Sequence, residues 1–162
     1  LKVVSQRPRV LEVDDFLRDD ECSYIVETAD GHMFTSGVSM KDEDAKAGHT
    51  SNEYRTSSQY SLACQTQRLS SLTSRVERLT RVSISHCEQI QVLRYMPMQH
   101  YAAHHDFFDP GDYSSKDKAK GFASNRFATV FFYLNDVDAG GQTGFPRAGG
   151  LSQPNNFLDC TR

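Results

Sequence analysis

The chain of 162 residues has no tryptophan, no strong excess of either charge and no long apolar run. Its 18 basic and 21 acidic side chains give a net charge of -3 and form no basic stripe, which argues against a nucleic-acid partner. No segment approaches the roughly 18 consecutive apolar residues of a membrane helix, and the first residues lack the pattern of a signal peptide. With 38% hydrophobic residues, we expect one domain spanning residues 1–162.

Cysteines are also sparse, and no two of them form a C-x-x-C pair. This spacing argues against a zinc site and against a thioredoxin-like redox motif. Two interpretations stay open, namely buried free thiols or one or two disulfides. The four cysteines are Cys22, Cys64, Cys87 and Cys160.

Helical periodicity is present in the first half of the chain. The stretch "DDECSYIVETADG" has apolar residues at helical spacing, acids in its first turn and Gly31 at its end, which predicts a helix. The polar run from Thr35 to Ser58 is irregular and long for a connection, so we expect a loop that covers a site. From Leu62 to about Val82, apolar residues recur at steps of three, four and seven, which predicts the clearest helix of the chain.

Beyond this helix the apolar period changes to two. The stretch "EQIQVLRY" predicts a strand, and "HYAAHHD" predicts a second one. Residues 107–125 have turn chemistry, and "RFATVFFYLND" is apolar on both faces, which predicts a buried strand. Helices followed by strands with long loops indicate an α+β, mainly β fold, either a sandwich or a jelly roll backed by N-terminal helices.

The triplet His104-x-Asp106 is the first candidate for chemistry. Alternate residues of a strand project to the same side, so both side chains can aim at one point while His105 faces away. One imidazole and one carboxylate are two of the three ligands in the facial triad that holds non-haem Fe(II). Taken alone, the triplet more often represents a hydrogen-bonded pair on a strand than a metal site.

The surrounding motifs resemble the catalytic domain of the prolyl 4-hydroxylases. "QVLRYMPMQHYAAHHDFF" and "NRFATVFFYLNDVDAGGQTGFP" match a Q-V-x-x-Y strand, a tyrosine three residues before H-x-D, R-x-A-T-x-x-x-Y-L-x-D and a G-G-x-T-x-F-P hairpin. "YRTSS" at residues 54–58 is similar to a segment of the plant and algal branch. The resemblance runs from about residue 10 to residue 146, and the order of several motifs makes it specific.

The resemblance implies a double-stranded β-helix, or jelly roll, and an Fe(II)- and 2-oxoglutarate-dependent dioxygenase with ascorbate as its rescuing reductant. His104 and Asp106 match the first two iron ligands. Tyr101 matches a tyrosine that reaches 2-oxoglutarate, and Thr143 matches a threonine that lines the cosubstrate pocket. The positions that match the substrate side of the site are Arg126, Arg55 and Ser57.

Each matched residue also has a simpler explanation. Tyr101 could be a half-buried strand aromatic, Thr143 a β-former beside a turn, and Arg126 a solvated charge. The remaining histidines lie in loops or off the H-x-D face, and we interpret them as structural or exposed. They are His32, His49, His86 and His100.

The chain departs from the family pattern after the hairpin. The family has a second histidine ligand there, followed by a lysine that pairs with 2-oxoglutarate, whereas no histidine follows Asp106 in these residues. Two protein ligands without a cationic anchor would hold iron and cosubstrate poorly. Either these residues lack the C-terminal strands of a longer enzyme, or the chain is a degenerate relative. The first is favoured because a jelly roll cut at this hairpin would expose strand edges.

The function that the resemblance implies is hydroxylation of prolyl residues in peptides, with succinate as the second product. A Pro-rich substrate in polyproline II form would suit a groove covered by two loops. Two alternatives stay open: a dioxygenase acting on another residue or a small molecule, and a peptide-binding jelly roll without catalysis. The family works in the secretory pathway in many eukaryotes, which favours the endoplasmic reticulum and leaves the cytoplasm possible.

Overall fold

The computed structural model describes residues 1–38, 46–107 and 125–150. These residues form a small α+β unit with two antiparallel sheets. The first sheet is a hairpin of β1 (Lys2–Gln6) and β2 (Arg9–Glu12). The second sheet has the order β3-β4-β5, formed by Phe34–Thr35, Ser58–Leu62 and Ile90–Arg94.

The helices lie where the sequence supplies start and stop signals. Helix α1 (Asp19–Ala29) opens with three acids and ends before Gly31, whose φ is 78°. Helix α2 (Ser51–Tyr54) is a single turn, and α3 (Ser70–Thr80) follows a 3-10 turn at Gln67–Leu69. None of the helices in the described parts of the chain is long and apolar enough to cross a bilayer.

The hydrophobic core lies between α1, α3 and one face of the three-stranded sheet. Its most deeply buried residues are Leu69 of the 3-10 turn, Leu72 of α3 and Ile25 of α1, which are 0%, 1% and 1% exposed. Tyr60 and Leu62, two residues apart on β4, both pack on this core, as the strand period requires. The buried members of the core are Ile25, Ala29, Leu62, Leu69, Leu72, Val76 and Val92.

A buried ion pair connects α1 to α3. The Glu21 carboxylate is 2% exposed and accepts a hydrogen bond from Arg75 at 2.5 Å, while Arg75 also donates to the carbonyl of Phe16. Arg18 lies 3.2 Å from the other carboxylate oxygen. Burial raises the pKa of Glu21, but the hydrogen bond and charge of Arg75, with Arg18, outweigh it and leave that pKa below its usual range.

Two of the predicted elements have different bounds from those expected. The predicted helix over residues 62–82 is wrong at its start, because Leu62 pairs with Ile90 as the last residue of β4. Only the later part of the apolar period is helical, and Thr66 marks the change by accepting a hydrogen bond from the amide of Leu69. The predicted loop over residues 35–58 is also partly wrong, since it contains α2 and two deeply buried residues, Arg55 and Ser57; residues 39–45 lie outside the described ones.

The two strands predicted after β5 do not form in the described residues. Tyr101 makes one isolated bridge with Arg55, and residues 102–106 join no ladder. The chain turns away from β5 at Pro97 and at Met98, whose φ is 68°, so it leaves the sheet before a ladder can continue. Residues 126–136 likewise have no strand neighbour among the residues described, and a strand is defined by such a neighbour.

Burial of the segment 126–136 is one-sided, in contrast to the expectation that both faces are buried. Phe132 and Leu134 pack against the core, and Phe132 stacks on Phe16 with ring centroids 6.0 Å apart. On the opposite side, Phe127 is 87% exposed, and Phe131 and Tyr133 are exposed as well. The alternation of a strand is therefore present without its hydrogen-bonded neighbours.

Candidate metal and cosubstrate site

Backbone hydrogen bonds fix the entry to the candidate site. The amide of Ala102 donates to the carbonyl of Tyr54 at 2.7 Å, and the amide of Thr56 donates to the carbonyl of His100 at 3.0 Å. Together with the bridge between Arg55 and Tyr101, these bonds hold the start of the H-x-D segment against the last residue of α2 and the two residues that follow it. The "YRTSS" and H-x-D motifs, far apart in sequence, are thus neighbours in the fold.

His104 and Asp106 converge on one point. The Nε2 atom of His104 lies 3.1 Å from Oδ1 of Asp106, and both side chains are about two-fifths exposed, at 40% and 43%. Two donor atoms bound at right angles to one metal, each about 2.1 Å from it, would lie about 3.0 Å apart. The observed separation of the two atoms therefore suits adjacent ligands of one ion.

The second ring nitrogen of His104 sets the tautomer. Its Nδ1 lies 2.8 Å from the carbonyl oxygen of Ala102, which can only accept, so Nδ1 carries the proton. In a neutral ring Nε2 then presents a lone pair towards the Asp106 carboxylate, which also presents lone pairs. That contact is favourable only with a proton or a cation between the two atoms. A ring N–H held by a backbone carbonyl is also the usual support of a metal-binding histidine.

The remaining atoms of Asp106 are held by the segment that begins at Asn125. The hydroxyl of Thr129 donates a short hydrogen bond to Oδ2 of Asp106, which leaves Oδ1 directed at His104. The Arg126 guanidinium donates to the backbone carbonyl of Asp106 at 3.2 Å. Thr129 therefore orients the carboxylate and Arg126 holds the backbone, so the predicted metal ligand is held at both ends.

The ring of Tyr101 contacts both His104 and Arg55. The ring of Tyr101 stacks on that of His104 with centroids 3.8 Å apart, and the guanidinium carbon of Arg55 lies 4.4 Å from the centroid of the Tyr101 ring. Burial raises the pKa of the Tyr101 hydroxyl, and Arg55 opposes that effect. The hydroxyl is therefore neutral at physiological pH and able to donate a hydrogen bond.

Arg55 is itself buried and only partly satisfied. It is 3% exposed, and its Nε donates to the hydroxyl of Ser57, which donates in turn to the hydroxyl of Ser36. Its Nη2 is buried and has no hydrogen-bond partner among the described residues. A buried cation with an unused donor beside Tyr101 is a suitable anchor for a carboxylate.

Arg126 forms a second polar contact that the sequence did not predict. Its Nε and Nη2 atoms donate to the two carboxylate oxygens of Glu88, at 2.6 and 2.8 Å, in a bidentate ion pair. The hydrogen bond from Arg126 lowers the pKa of Glu88, and burial opposes this effect in part. Arg126 is consequently fixed between Glu88 and the backbone of Asp106.

The structure brings most of the predicted site residues together. Arg55, Ser57, Tyr101, His104, Asp106 and Arg126 form one connected set of contacts. Thr143 contacts a different residue, since its hydroxyl lies 2.8 Å from that of Tyr133. His105 is directed elsewhere, with Nε2 3.1 Å from Arg147 and its ring stacked on Phe107.

Sequence reasoning missed two residues of this set, Glu88 and Thr129. Thr129 lies within the quoted motif R-x-A-T and could have been identified from it, because a hydroxyl three residues after Arg126 can reach the same neighbour. Glu88 gave no comparable signal. It precedes β5 in an irregular stretch, and only the fold shows that it reaches Arg126.

A complete set of metal ligands is not found in the described residues. No group of three or more His, Cys, Asp or Glu side chains is close enough there to hold an ion. The other histidines have separate neighbours; for example, His32 stacks near Tyr60 and His49 bonds to Glu53. His104 and Asp106 thus offer two donors of a possible three.

Comparison with known proteins gives a consistent set of relatives. No family model matches the chain. "Probable prolyl 4-hydroxylase 10" of Arabidopsis thaliana is 35% identical over 152 residues, which are 93% of this chain and 49% of the relative. "Prolyl 4-hydroxylase 5" and "Prolyl 4-hydroxylase 1" of the same plant are 31% and 34% identical over 93% and 91% of the chain and 49% and 50% of the relatives. The chain therefore spans about half the length of the curated relatives it matches.

Proposed function

We propose, since the chain is similar to prolyl 4-hydroxylases of Arabidopsis thaliana, that the protein hydroxylates prolyl residues in peptides with Fe(II), dioxygen and 2-oxoglutarate. The observation that carries the proposal is the approach of His104 Nε2 to Asp106 Oδ1, with Nδ1 held by a backbone carbonyl. A bound cation, like a proton, would make this contact favourable. The similarity to proteins named prolyl 4-hydroxylases supports prolyl hydroxylation as the reaction.

The described residues fit part of an iron site. His104 would supply the neutral nitrogen and Asp106 the anionic oxygen, and Thr129 would keep the carboxylate turned towards the metal. Bound Fe(II) would supply the oxygen chemistry that amino-acid side chains cannot perform, with ascorbate as the reductant. His104 and Asp106 are two of the three protein ligands that such an iron site uses, and the described residues bring no third one to them.

A cosubstrate carboxylate would fit between the Tyr101 hydroxyl and the unused donor of Arg55. Tyr101 would donate a hydrogen bond because its pKa is raised by burial, and Arg55 would supply the positive charge. Ser57 would not contact the carboxylate itself, but its hydroxyl accepts a hydrogen bond from Arg55 and so holds the guanidinium in place. Thr143 belongs to the proposed pocket by its position in the hairpin motif, with Tyr133 as its neighbour.

The substrate side of the site would include Arg126 and Arg55. Arg126 is held by Glu88 and by the backbone of Asp106, so its position is set relative to the metal ligand. A fixed arginine can bind peptide carbonyl groups and orient a Pro-rich chain, whose extended backbone leaves its carbonyls available. Orientation of the prolyl ring towards the metal is the contribution that this part of the chain would make to catalysis.

The jelly-roll fold is part of the same proposal. We infer that residues 1–162 belong to one dioxygenase domain whose third ligand and 2-oxoglutarate-binding lysine are supplied by residues beyond these. Support comes from the exposed side chains of Phe127, Phe131 and Tyr133, because aromatic side chains on one face of an extended segment are usually covered by a neighbouring layer. The half-length match to the relatives supports it as well.

The test is turnover by the full-length protein that contains this chain. With Fe(II), ascorbate and a Pro-rich peptide, we expect succinate release that depends on the peptide, together with hydroxyproline in the product. His104→Ala should lower turnover at least about a hundredfold and weaken binding of Co(II), a spectroscopic substitute for the iron. His105→Ala is the matched control, and it should leave both properties near those of the parent protein.

Each result has a clear consequence. Turnover that survives His104→Ala would contradict the ligand assignment, as would an equal loss in His105→Ala. Peptide binding without succinate release in metal-loaded protein would favour a non-catalytic binding module. Succinate release with a small molecule and none with prolyl peptides would keep the metal site and change the substrate.

A further inference from the structure

Two cysteines lie at the same end of the paired strands β4 and β5. The last pair of that ladder joins Leu62 to Ile90. Cys64 follows Leu62 by two residues, and Cys87 precedes Ile90 by three. Both cysteines therefore emerge from one end of a ladder whose two strands run in opposite directions.

The register of this ladder brings the two cysteines close together. The five pairs from Ser58 and Arg94 to Leu62 and Ile90 follow one regular antiparallel register, and its continuation would set Cys64 opposite Glu88, the neighbour of Cys87. Opposed residues of an antiparallel pair have Cα atoms about 4.5 to 5.5 Å apart. A disulfide needs Cα atoms about 4.4 to 6.8 Å apart, so the link requires the irregular residues after the 3-10 turn Ile84–His86 to shift Cys87 by one position towards Cys64.

The surroundings of the two thiols differ. Cys64 is buried, at 8% exposure, whereas Cys87 is exposed. Partial burial raises the pKa of Cys87, and the proximity of Cys64 raises it further. Cys22 is half-buried on α1 and serves as an internal comparison.

We propose that Cys64 and Cys87, which are free thiols in this structure, form an intramolecular disulfide at the end of the β4–β5 ladder. A low-molecular-weight disulfide such as oxidised glutathione is the oxidant. The exposed thiolate of Cys87 attacks one sulfur of that reagent and releases one glutathione. Cys64 then attacks the Cys87 sulfur and releases the second glutathione. Two cysteine thiols are oxidised by two electrons, and their two protons reside on the two released thiols.

The cross-link would join two functional parts of the fold. It closes a loop that contains α3, which packs on the core, and it holds Cys87, the residue directly before Glu88. Glu88 binds Arg126, which in turn holds the backbone of Asp106. Oxidation would thus restrict the approach to the candidate site from the side of Glu88 without using any of its residues.

The experiment is mapping of thiols in the native chain. The protein is incubated with oxidised glutathione, quenched with N-ethylmaleimide and digested with trypsin without reductant. Cleavage after Arg55, Arg68, Arg81 and Arg94 separates the two cysteines into peptides 56–68 and 82–94. We expect these two peptides to appear as one linked species that separates on reduction, and we expect its formation to accelerate as pH rises.

Variants and stability provide independent measurements. Cys87→Ser, at an exposed position, should remove the linked species and leave modification of Cys22 unchanged, whereas the matched control Cys22→Ser should leave the link intact. The linked protein should show an apparent unfolding constant about a hundredfold smaller than the reduced protein. Separate glutathione adducts on the two cysteines, or a link from either of them to Cys22 or Cys160, would overturn the proposal.

Discussion

Two regions of the molecule differ in how they are held together. The framework, formed by α1, α3 and the strands β3 to β5, encloses apolar side chains, and Leu69 and Leu72 within it are almost inaccessible. The site segment, formed by residues 101–107 and 125–137, has little regular secondary structure in the described chain. Its key side chains, His104 and Asp106, are about two-fifths exposed and are held by polar contacts.

This difference separates stability from function. Apolar burial supplies most of the free energy of folding, and the framework contains most of that burial. Polar contacts between exposed groups contribute little stability but set direction, which a metal or substrate site requires. Substitutions in the framework should therefore lower the free energy of unfolding, whereas substitutions in the site segment should change binding with small effects on it.

The largest effect is expected from Leu72→Ala. Leu72 is 1% exposed and lies in the core between α3 and the sheet, so the truncation should lower the free energy of unfolding by about 3 kcal/mol. Phe131→Ala is the matched control, because Phe131 is 54% exposed, and it should change that free energy by less than about 1 kcal/mol. Urea denaturation of both variants checks the difference, and equal losses would mean that the site segment belongs to the core.

The next effect is expected from Arg75→Ala, which leaves the buried Glu21 carboxylate with Arg18 as its remaining cation. Removing one partner of a buried pair costs about 3 to 5 kcal/mol, and partial exposure of Arg75 reduces our expectation to about 2 kcal/mol.

This effect should depend on pH in a defined direction. Because the folded-state pKa of Glu21 is lowered, its stabilisation is present above the unfolded-state pKa and is lost as pH falls through the folded-state value. The difference between parent and variant should shrink on acidification. Thermal unfolding across an acidic pH series measures it, with Arg78→Ala on the same helix as the control; a difference independent of pH would contradict the ion-pair explanation.

The helices and strands that could be predicted from the sequence are those whose signals lie within the element itself. Helix α1 and strand β5 follow from periodicity and from start and stop signals that lie within each element. The start of α3 was placed too early because Leu62 fits both a helical period and a strand period, and only the pairing with Ile90 decides between them. Strands after β5 could not be predicted reliably, because a strand depends on neighbours that are distant in sequence.

The candidate site residues also fall into two groups: those that a local motif predicts and those that only the fold brings together. The motif pairs His104 with Asp106 and turns His105 elsewhere, and the side chains do have these separate neighbours even though the segment is not a strand. The buried Arg55 and its contact with Tyr101 could not be derived from spacing, since the two residues are brought together by one backbone bridge. Their roles in binding stay predictions.

A smaller effect is expected from Met98→Gly. Met98 has a φ of 68° and is 97% exposed, so its side chain contributes little packing while the left-handed backbone costs roughly 1 to 2 kcal/mol. Glycine removes that strain and loses some chain entropy on folding, so we expect a net gain of about 0.5 kcal/mol. Urea denaturation measures it. Met96→Gly, at a position without a positive φ, should give no gain, and a gain of the same size there would refute the strain argument.

The smallest change in stability is expected from Arg126→Gln in the site segment. Its ion pair with Glu88 lies between groups that are 39% and 61% exposed, so its loss should lower the free energy of unfolding by about 0.3 kcal/mol. The electrostatic change should be clear nonetheless. Because the hydrogen bond from Arg126 holds the pKa of Glu88 below its usual range, that pKa should rise in the variant, as followed by carboxyl NMR titration.

The control is Arg147→Gln, which alters the contact with His105 and should leave the pKa of Glu88 unchanged. A large loss of stability in Arg126→Gln would place this ion pair in the framework and remove the distinction between the two regions.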